Sequence, residues 1–361
     1  MNATRKLHDL GQSLWLDNIT RELLDDGTIA GYVKDLSVTG LTSNPSIFQK
    51  AMAGGPAYDQ AIAAADPGQS TEALFVELAL DDLRGAARLF EPAHEATGGV
   101  DGWVSMEVSP LLANDTDGSI EAARRIHDQA ACKNLFVKIP GTPAGLPAIE
   151  ESIFAGVPIN VTLLFSREQY LAAADAWLRG IERRIEAGLD PKVPSVGSLF
   201  ISRWDVAVKD QVPKDLRNTL GIAVAGRVYR AYCGWLQSPR VRAVAEAGVQ
   251  PQRLLWASTS TKDPDARDTL YIEALAAPDT INTMPGKTLH AFADHGHVGE
   301  PMDPQATEAE AMLARLGEAG VDIDVVAAQL QREGTASFDA SWHKLMGGLE
   351  AKRKSLAGDG K

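Results

Sequence analysis

The sequence predicts a single (β/α)8 barrel, the TIM-barrel fold, with additional C-terminal helices. Short apolar segments recur along the 361 residues, and each is followed by a longer segment with helical spacing of its apolar residues. Strands that alternate with helices pair in parallel through crossover connections. Eight such units favour a closed barrel over an open doubly wound sheet. No Gly-x-Gly-x-x-Gly motif follows the first strand, which counts against a dinucleotide-binding fold.

The eight expected strands are short apolar runs. They lie at residues 13–18, 38–43, 103–108, 134–139, 159–165, 195–201, 253–258 and 280–285.

Between the strands, residues 71–90 and 166–188 have the apolar spacing of amphipathic helices. Ser166 is expected to cap the second of these, because a serine hydroxyl accepts hydrogen bonds from first-turn amides.

The chain from about residue 300 is acidic and has helical character. We expect helices at 312–320 and 321–334 and frayed residues from 351 onward. Residues 1–361 are therefore predicted to form one domain, with 300–361 as a C-terminal helical extension.

Composition excludes several classes of protein. The formal net charge is −13, which argues against non-specific binding of nucleic acid or anionic membrane. Cys132 and Cys233 are too few for a disulfide framework. The first residues lack the apolar core of a signal peptide, and no run of apolar residues is long enough to span a membrane. We expect a soluble, cytoplasmic protein, either monomeric or homodimeric.

The strand Asn134-Leu-Phe-Val-Lys-Ile139 places one lysine within an apolar run. Side chains alternate between the two faces of a strand. If the aliphatic residues face the surrounding helices, Lys138 faces the barrel interior. The same alternation directs Asp17, Glu107, Asn160 and Thr162 inward from three other strands.

Each of these polar residues has a structural explanation when taken alone. Asp17 could cap a helix, Glu107 could pair with an arginine, and Lys138 could form a structural ion pair with Asp17 or Glu107. Together, however, they converge on one interior, near the strand ends where catalytic groups of barrels gather. Clusters of this kind mark functional sites.

A buried lysine suits carbonyl chemistry. Burial disfavours the charged ammonium, and the free amine attacks ketones and aldehydes to form a protonated Schiff base. The iminium withdraws electrons, so an adjacent C–C bond can break. The reaction also needs a base for the substrate hydroxyl and a group that shuttles protons, and Asp17 and Glu107 are available for these roles.

Several of these segments resemble the transaldolase family. The run GLTSNPSIF (40–48) is similar to the family's first signature, and LFVKIPGTPAG (135–145) is similar to the second, which carries the Schiff-base lysine. Seven motifs follow in the family's order between residues 14 and 285.

The resemblance implies a role for each matching residue. Lys138 corresponds to the Schiff-base lysine and Asp17 to the base that deprotonates the C4 hydroxyl. Glu107 and Thr162 correspond to the pair that positions the catalytic water. The implied substrate-binding residues are Asn44, Asn160, Ser198, Arg203 and Ser258, with Arg203 and Ser258 at the substrate phosphate.

The sequence departs from the family pattern on the seventh strand. Ser258 matches, but Ser260 stands where the longer-studied branch has a phosphate-binding arginine. Lys262 could supply the missing charge as a point donor.

The resemblance implies a transaldolase that acts on phosphorylated sugars in the non-oxidative pentose phosphate pathway. It would transfer a dihydroxyacetone unit from sedoheptulose 7-phosphate to glyceraldehyde 3-phosphate. No metal or organic cofactor is expected. Two alternatives stay open: a fructose-6-phosphate aldolase that releases dihydroxyacetone, with Phe200 as the candidate controller, and a non-catalytic barrel that binds phosphosugars.

Overall fold

The computed structural model describes residues 2–53 and 55–358. All eight expected strands are present, each with bounds within one residue of the prediction. They are β1 Ser13–Asp17, β2 Val38–Thr42, β3 Val104–Glu107, β4 Leu135–Pro140, β5 Ile159–Leu164, β6 Ser195–Phe200, β7 Arg253–Ala257 and β8 Ile281–Met284.

Helices connect the strands and continue beyond β8. They are α1 Ala3–Asp9, α2 Arg21–Asp25, α3 Thr28–Asp35, α4 Pro45–Ala53, α5 Asp59–Ala64, α6 Thr71–Ala96, α7 Thr116–Ala130, α8 Gly145–Phe154, α9 Arg167–Glu186, α10 Ser202–Val208, α11 Leu220–Leu236, α12 Pro239–Glu246, α13 Leu270–Ala274, α14 Gly286–His295, α15 Thr307–Glu318 and α16 Ile323–Gly358.

The strands form one parallel sheet in the order β2-β1-β8-β7-β6-β5-β4-β3. Its two outer strands meet, because the amide of Leu41 donates to the carbonyl of Trp103 over 2.9 Å. The hydroxyl of Ser43 also donates to the carbonyl of Ser105 over 2.7 Å. The nearly closed (β/α)8 barrel is confirmed, and the open doubly wound alternative is wrong.

The two amphipathic helices predicted from spacing are α6 and α9. Ser166 caps α9 as expected: its hydroxyl accepts from the amide of Gln169, and the Gln169 side chain accepts in return from the Ser166 amide. This reciprocal capping box satisfies two first-turn donors that the helix itself leaves unpaired.

The middle of the barrel interior is filled by aromatic rings. Trp103 stacks on Phe136 with 4.1 Å between ring centroids, and Trp15 lies 6.3 Å from Phe136. Gly40 makes room for them, because a Cβ there would lie 2.7 Å from the Trp15 ring. Inward residues above this layer therefore form a separate group at the carboxyl ends of the strands.

The C-terminal helices predicted from the acidic tail are α15 and α16, and the second is far longer than expected. The prediction that residues from 351 onward are frayed is wrong for 351–358, which continue α16. The side chains of Lys352 and Arg353 hold this end: Lys352 pairs with Asp59 at 2.6 Å, and Arg353 donates to the carbonyl of Gln69 over 2.7 Å. Residues 359–361 lie outside the described part of the chain.

Within the described residues, no helix combines the length and the hydrophobicity that a membrane crossing requires.

Candidate active site

A cavity of about 140 Å³ opens at the carboxyl ends of the strands. Catalytic groups of (β/α)8 barrels gather at this face. Its lining includes eight of the ten site residues predicted from the sequence: Asp17, Asn44, Lys138, Thr162, Ser198, Arg203, Ser258 and Lys262. The other two lie immediately behind this lining. Glu107 pairs with Lys138, and Asn160 accepts a hydrogen bond from Ser198.

Strand register brings the central groups together. Glu107 lies opposite Lys138 across the β3–β4 pair, and Lys138 lies opposite Asn160 across the β4–β5 pair. Asp17 lies opposite Thr42 in the same way across β1 and β2. Side chains opposite one another share a face, so the register alone sets Glu107, Lys138 and Asn160 in a row.

Lys138 is buried and held from two sides. Its Nζ donates to the carbonyl of Ser43 over 2.9 Å and lies 3.3 Å from Oε2 of Glu107. Only 5% of the lysine and 6% of the glutamate are exposed. The structure therefore contains the ion pair that a purely structural role of Lys138 would require. Lys138 also lines the cavity, however, which such a role does not explain.

Glu107 carries unused hydrogen-bonding capacity. Apart from the ion pair with Lys138, its carboxylate oxygens have no hydrogen-bond partner within the described residues, and the buried hydroxyl of Thr162 also lacks one. Buried polar atoms are nearly always satisfied, so unpaired ones call for an explanation in function. Burial raises the pKa of Glu107, and the neighbouring charge of Lys138 acts in the opposite direction.

Asp17 is supported by a pair of threonines. The hydroxyl of Thr42 donates to Oδ1 of Asp17 over 2.8 Å and lies 2.7 Å from the hydroxyl of Thr283. Burial raises the pKa of Asp17, while Lys138 and the hydrogen bond from Thr42 lower it. Asp17 does not cap the following helix, because the side chain of Thr20 does so.

Polar residues on β5 and β6 form a buried chain of hydrogen bonds. The hydroxyl of Ser198 donates to Oδ1 of Asn160 over 2.7 Å, and Nδ2 of Asn160 donates to Ser105 over 3.2 Å. Asn160 is fully buried behind Ser198. Asn44 differs, since its Oδ1 accepts from the amide of Ile47 and its side chain lines the cavity.

One side of the cavity is cationic. Arg203 lies between two aromatic rings, 4.9 Å from the centroid of Phe200 and 5.7 Å from that of Phe338. The Nζ of Lys262 donates to the hydroxyl of Ser260 over 2.7 Å, which places the lysine beside the position where the longer-studied branch was expected to have an arginine. Burial lowers the pKa of both cations. Arginine and lysine side chains with serine hydroxyls are suited to bind a phosphate.

Among the cavity residues that sequence reasoning did not identify are two threonines and a phenylalanine that contact its functional groups. Thr42 and Thr283 follow the alternation of side chains along a strand, and they could have been found by applying this alternation to β2 and β8. Phe338 could not, because it reaches the cavity from α16 and nothing in its local sequence indicates a barrel contact.

A buried lysine beside a carboxylate, at the mouth of a (β/α)8 barrel with a cationic subsite, is the arrangement expected of an aldolase-class enzyme. The sequence model of the transaldolase/fructose-6-phosphate aldolase family matches residues 14–349. The chain therefore belongs to this family.

Individual relatives agree over nearly their whole length. The chain is 43% identical to a transaldolase of Thiobacillus denitrificans over 96% of its own length and 99% of the relative. It is 42% identical to a transaldolase of Parafrankia over 98% and 100%, and 40% identical to a transaldolase of Neisseria meningitidis over 94% and 97%. These relatives support a transaldolase, and they do not favour the fructose-6-phosphate aldolase alternative.

Proposed function

We propose that this enzyme transfers a dihydroxyacetone unit from sedoheptulose 7-phosphate to glyceraldehyde 3-phosphate, yielding erythrose 4-phosphate and fructose 6-phosphate. This reaction belongs to the non-oxidative pentose phosphate pathway. The observation that carries the proposal is the buried Nζ of Lys138, 3.3 Å from Glu107 and open to a cavity with a cationic side. A purely structural ion pair would need no such cavity.

Lys138 is the nucleophile. Its amine attacks the ketose carbonyl, the resulting carbinolamine loses water, and a protonated Schiff base remains. The carbonyl of Ser43, 2.9 Å from Nζ, fixes the position of the nitrogen as the substrate arrives.

Glu107 and Thr162 serve the proton transfers of imine formation. Apart from the ion pair of Glu107 with Lys138, their buried oxygens have no hydrogen-bond partner among the described residues, which leaves them available to hold the water that is released and later consumed. The raised pKa of Glu107 suits a group that must both give and take a proton.

Asp17 is the base for C–C cleavage. It removes the proton of the C4 hydroxyl, the C3–C4 bond breaks as C4 becomes an aldehyde, and the electron pair moves into the iminium to give an enamine on Lys138. The aldehyde leaves, and the enamine then attacks the acceptor aldehyde in the reverse sequence.

The remaining residues bind the substrate. Asn44 and Ser198 bind hydroxyls of the dihydroxyacetone unit, and Asn160 supports Ser198 through the 2.7 Å hydrogen bond between them. Arg203, Ser258 and Lys262 bind the phosphate. The chemistry uses side chains alone, so no metal or organic cofactor is expected.

We also propose a cytoplasmic location. Cys132 and Cys233 are both free, which is compatible with a reducing compartment.

Borohydride reduction in the presence of fructose 6-phosphate tests the covalent step. We expect a stable adduct that peptide mass mapping assigns to Lys138, and none in a Lys138→Met variant. An adduct on another lysine, or transfer without any adduct, contradicts the proposal. Incubation with fructose 6-phosphate and no acceptor should release little free dihydroxyacetone, whereas sustained release would identify the aldolase.

A further inference from the structure

Arg203 is an unusual cation because aromatic rings, rather than a directly paired carboxylate, position it. Within the part of the chain that the structure describes, no carboxylate lies within 4.0 Å of its guanidinium, and its side chain makes no hydrogen bond. Two ring faces hold it instead, Phe200 from β6 and Phe338 from α16. A guanidinium held by aromatic faces keeps its donors free for an anion.

The backbone of α16 also passes beside this guanidinium. A Cβ added at Gly334 would lie 3.2 Å from Nη1 of Arg203 and 3.0 Å from Cδ2 of Leu163. Both distances are tighter than ordinary contacts, so any side chain at Gly334 would displace the arginine or the leucine.

One hydrogen-bonded contact fixes the position of the helix along the barrel mouth. Nε2 of Gln331 donates to the carbonyl of Gly141 over 3.0 Å and to that of Leu163 over 3.1 Å. Leu163 has a φ of 57°, within a register shift of β5. Gln331, Gly334 and Phe338 follow one another at spacings of three and four residues, so they share one face of α16.

We infer that this face of α16 is part of the anion subsite. Gly334 and Phe338 are positioning residues for Arg203, and they set the preference of the enzyme for phosphorylated over unphosphorylated sugars. The inference rests on the proposed function, and it assigns a role to a helix far downstream of the catalytic strands.

Two substitutions and a matched control test this inference. Gly334→Ala adds one methyl group against Arg203, and Phe338→Leu removes one ring while keeping an apolar side chain. Gly347→Ala is the control, because Gly347 lies on the same helix and a Cβ there meets no atom within 4 Å. All three proteins are compared for KM with fructose 6-phosphate and with fructose, and for inhibition by inorganic phosphate.

We expect KM for fructose 6-phosphate and the inhibition constant of phosphate to rise about three- to tenfold in Gly334→Ala and Phe338→Leu, the size expected for a disturbed cation–π contact. The kcat/KM for fructose should change less than about twofold, since Arg203 is proposed to bind the phosphate and fructose carries none. Gly347→Ala should match the unmodified enzyme. In an Arg203→Ala background, neither substitution should weaken phosphate binding further.

Equal losses with both sugars, or the same phosphate inhibition in Gly334→Ala and Gly347→Ala, would overturn the inference. Borohydride trapping distinguishes this failure from a failure of the proposed function. If Lys138 forms the adduct but the variants keep the preference of the unmodified enzyme for phosphorylated sugars, only the role of α16 is refuted. Should Gly334→Ala not fold, Phe338→Leu alone decides the outcome.

Discussion

Glu107 lies directly opposite Lys138 across two adjacent parallel strands, with its Oε2 3.3 Å from the lysine nitrogen. Both side chains are almost fully buried. The carboxylate is therefore the nearest ionisable group to the atom on which the Schiff base is proposed to form, and the charge of the lysine opposes the rise that burial causes in the pKa of Glu107.

Glu107→Gln should preserve the fold and slow the reaction. Glutamine has nearly the same shape but cannot exchange a proton, so kcat should fall by about 10²–10⁴, the usual contribution of a general acid–base. The rate at which borohydride traps the adduct should fall in parallel, because imine formation itself is impaired. Glu121→Gln, an exposed glutamate on α7, is the control; an unaltered kcat in Glu107→Gln would exclude this role.

The pH profile tests the role assigned to Asp17. Thr42 donates a hydrogen bond to this carboxylate, which favours its ionised form and lowers its pKa. Thr42→Val removes that bond, so the pKa of Asp17 should rise. The base is active only when ionised, and the acid limb of kcat/KM should therefore move to higher pH.

A second threonine offers the matched control for this prediction. Thr283 forms its hydrogen bond with Thr42, one step removed from Asp17, so Thr283→Val should move the acid limb less than Thr42→Val does. Coincident acid limbs in Thr42→Val and the unmodified enzyme would show that another group limits the rate at low pH.

Lys262 tests whether a lysine replaces the arginine expected from the longer-studied branch of the family at the position of Ser260. Lys262→Ala should raise KM for phosphorylated substrates about tenfold, a modest loss for a charged hydrogen bond at a side chain only partly withdrawn from solvent. The KM for unphosphorylated sugars should not change in Lys262→Ala, and Lys262→Arg should retain most of the affinity for phosphorylated substrates. Lys214→Ala, at an exposed lysine away from the cavity, controls for net charge; unchanged KM values in Lys262→Ala would remove this lysine from the phosphate site.

The sequence was informative wherever local periodicity determines structure. Apolar runs located all eight strands, because a buried parallel strand must be apolar over its length. Alternation along each strand then identified Lys138, Glu107 and Asp17 as inward-facing, since the side chains of a strand alternate regardless of tertiary context.

What could not be predicted depends on contacts between distant segments. The path of α16 across the barrel mouth is set by Gln331 and by the terminal residues Lys352 and Arg353, whose partners lie far away in sequence. The same holds for Phe338 beside Arg203. Asn160 faces inward as expected, but only the packed structure shows that Ser198 lies between it and the cavity.

The opposite end of the barrel should affect stability without affecting catalysis. Buried Asp101 accepts hydrogen bonds from Nε1 of Trp15 over 2.8 Å and from the hydroxyl of Thr39 over 2.7 Å. It also accepts from Ser13, which in turn accepts from the buried guanidinium of Arg253 over 2.9 Å. Asp101→Ala would leave these donors unpaired, at a cost of about 3 kcal/mol.

We therefore expect Asp101→Ala to lower the midpoint of urea unfolding clearly while kcat, measured at a temperature where the variant is folded, stays within about twofold of the unmodified enzyme. Asp25→Ala, at an exposed position of α2, should leave both quantities unchanged. The two ends of the barrel are separated by the aromatic layer of Trp15, Trp103 and Phe136. A large loss of kcat in folded Asp101→Ala would show that this layer transmits displacements from the base of the barrel to Lys138.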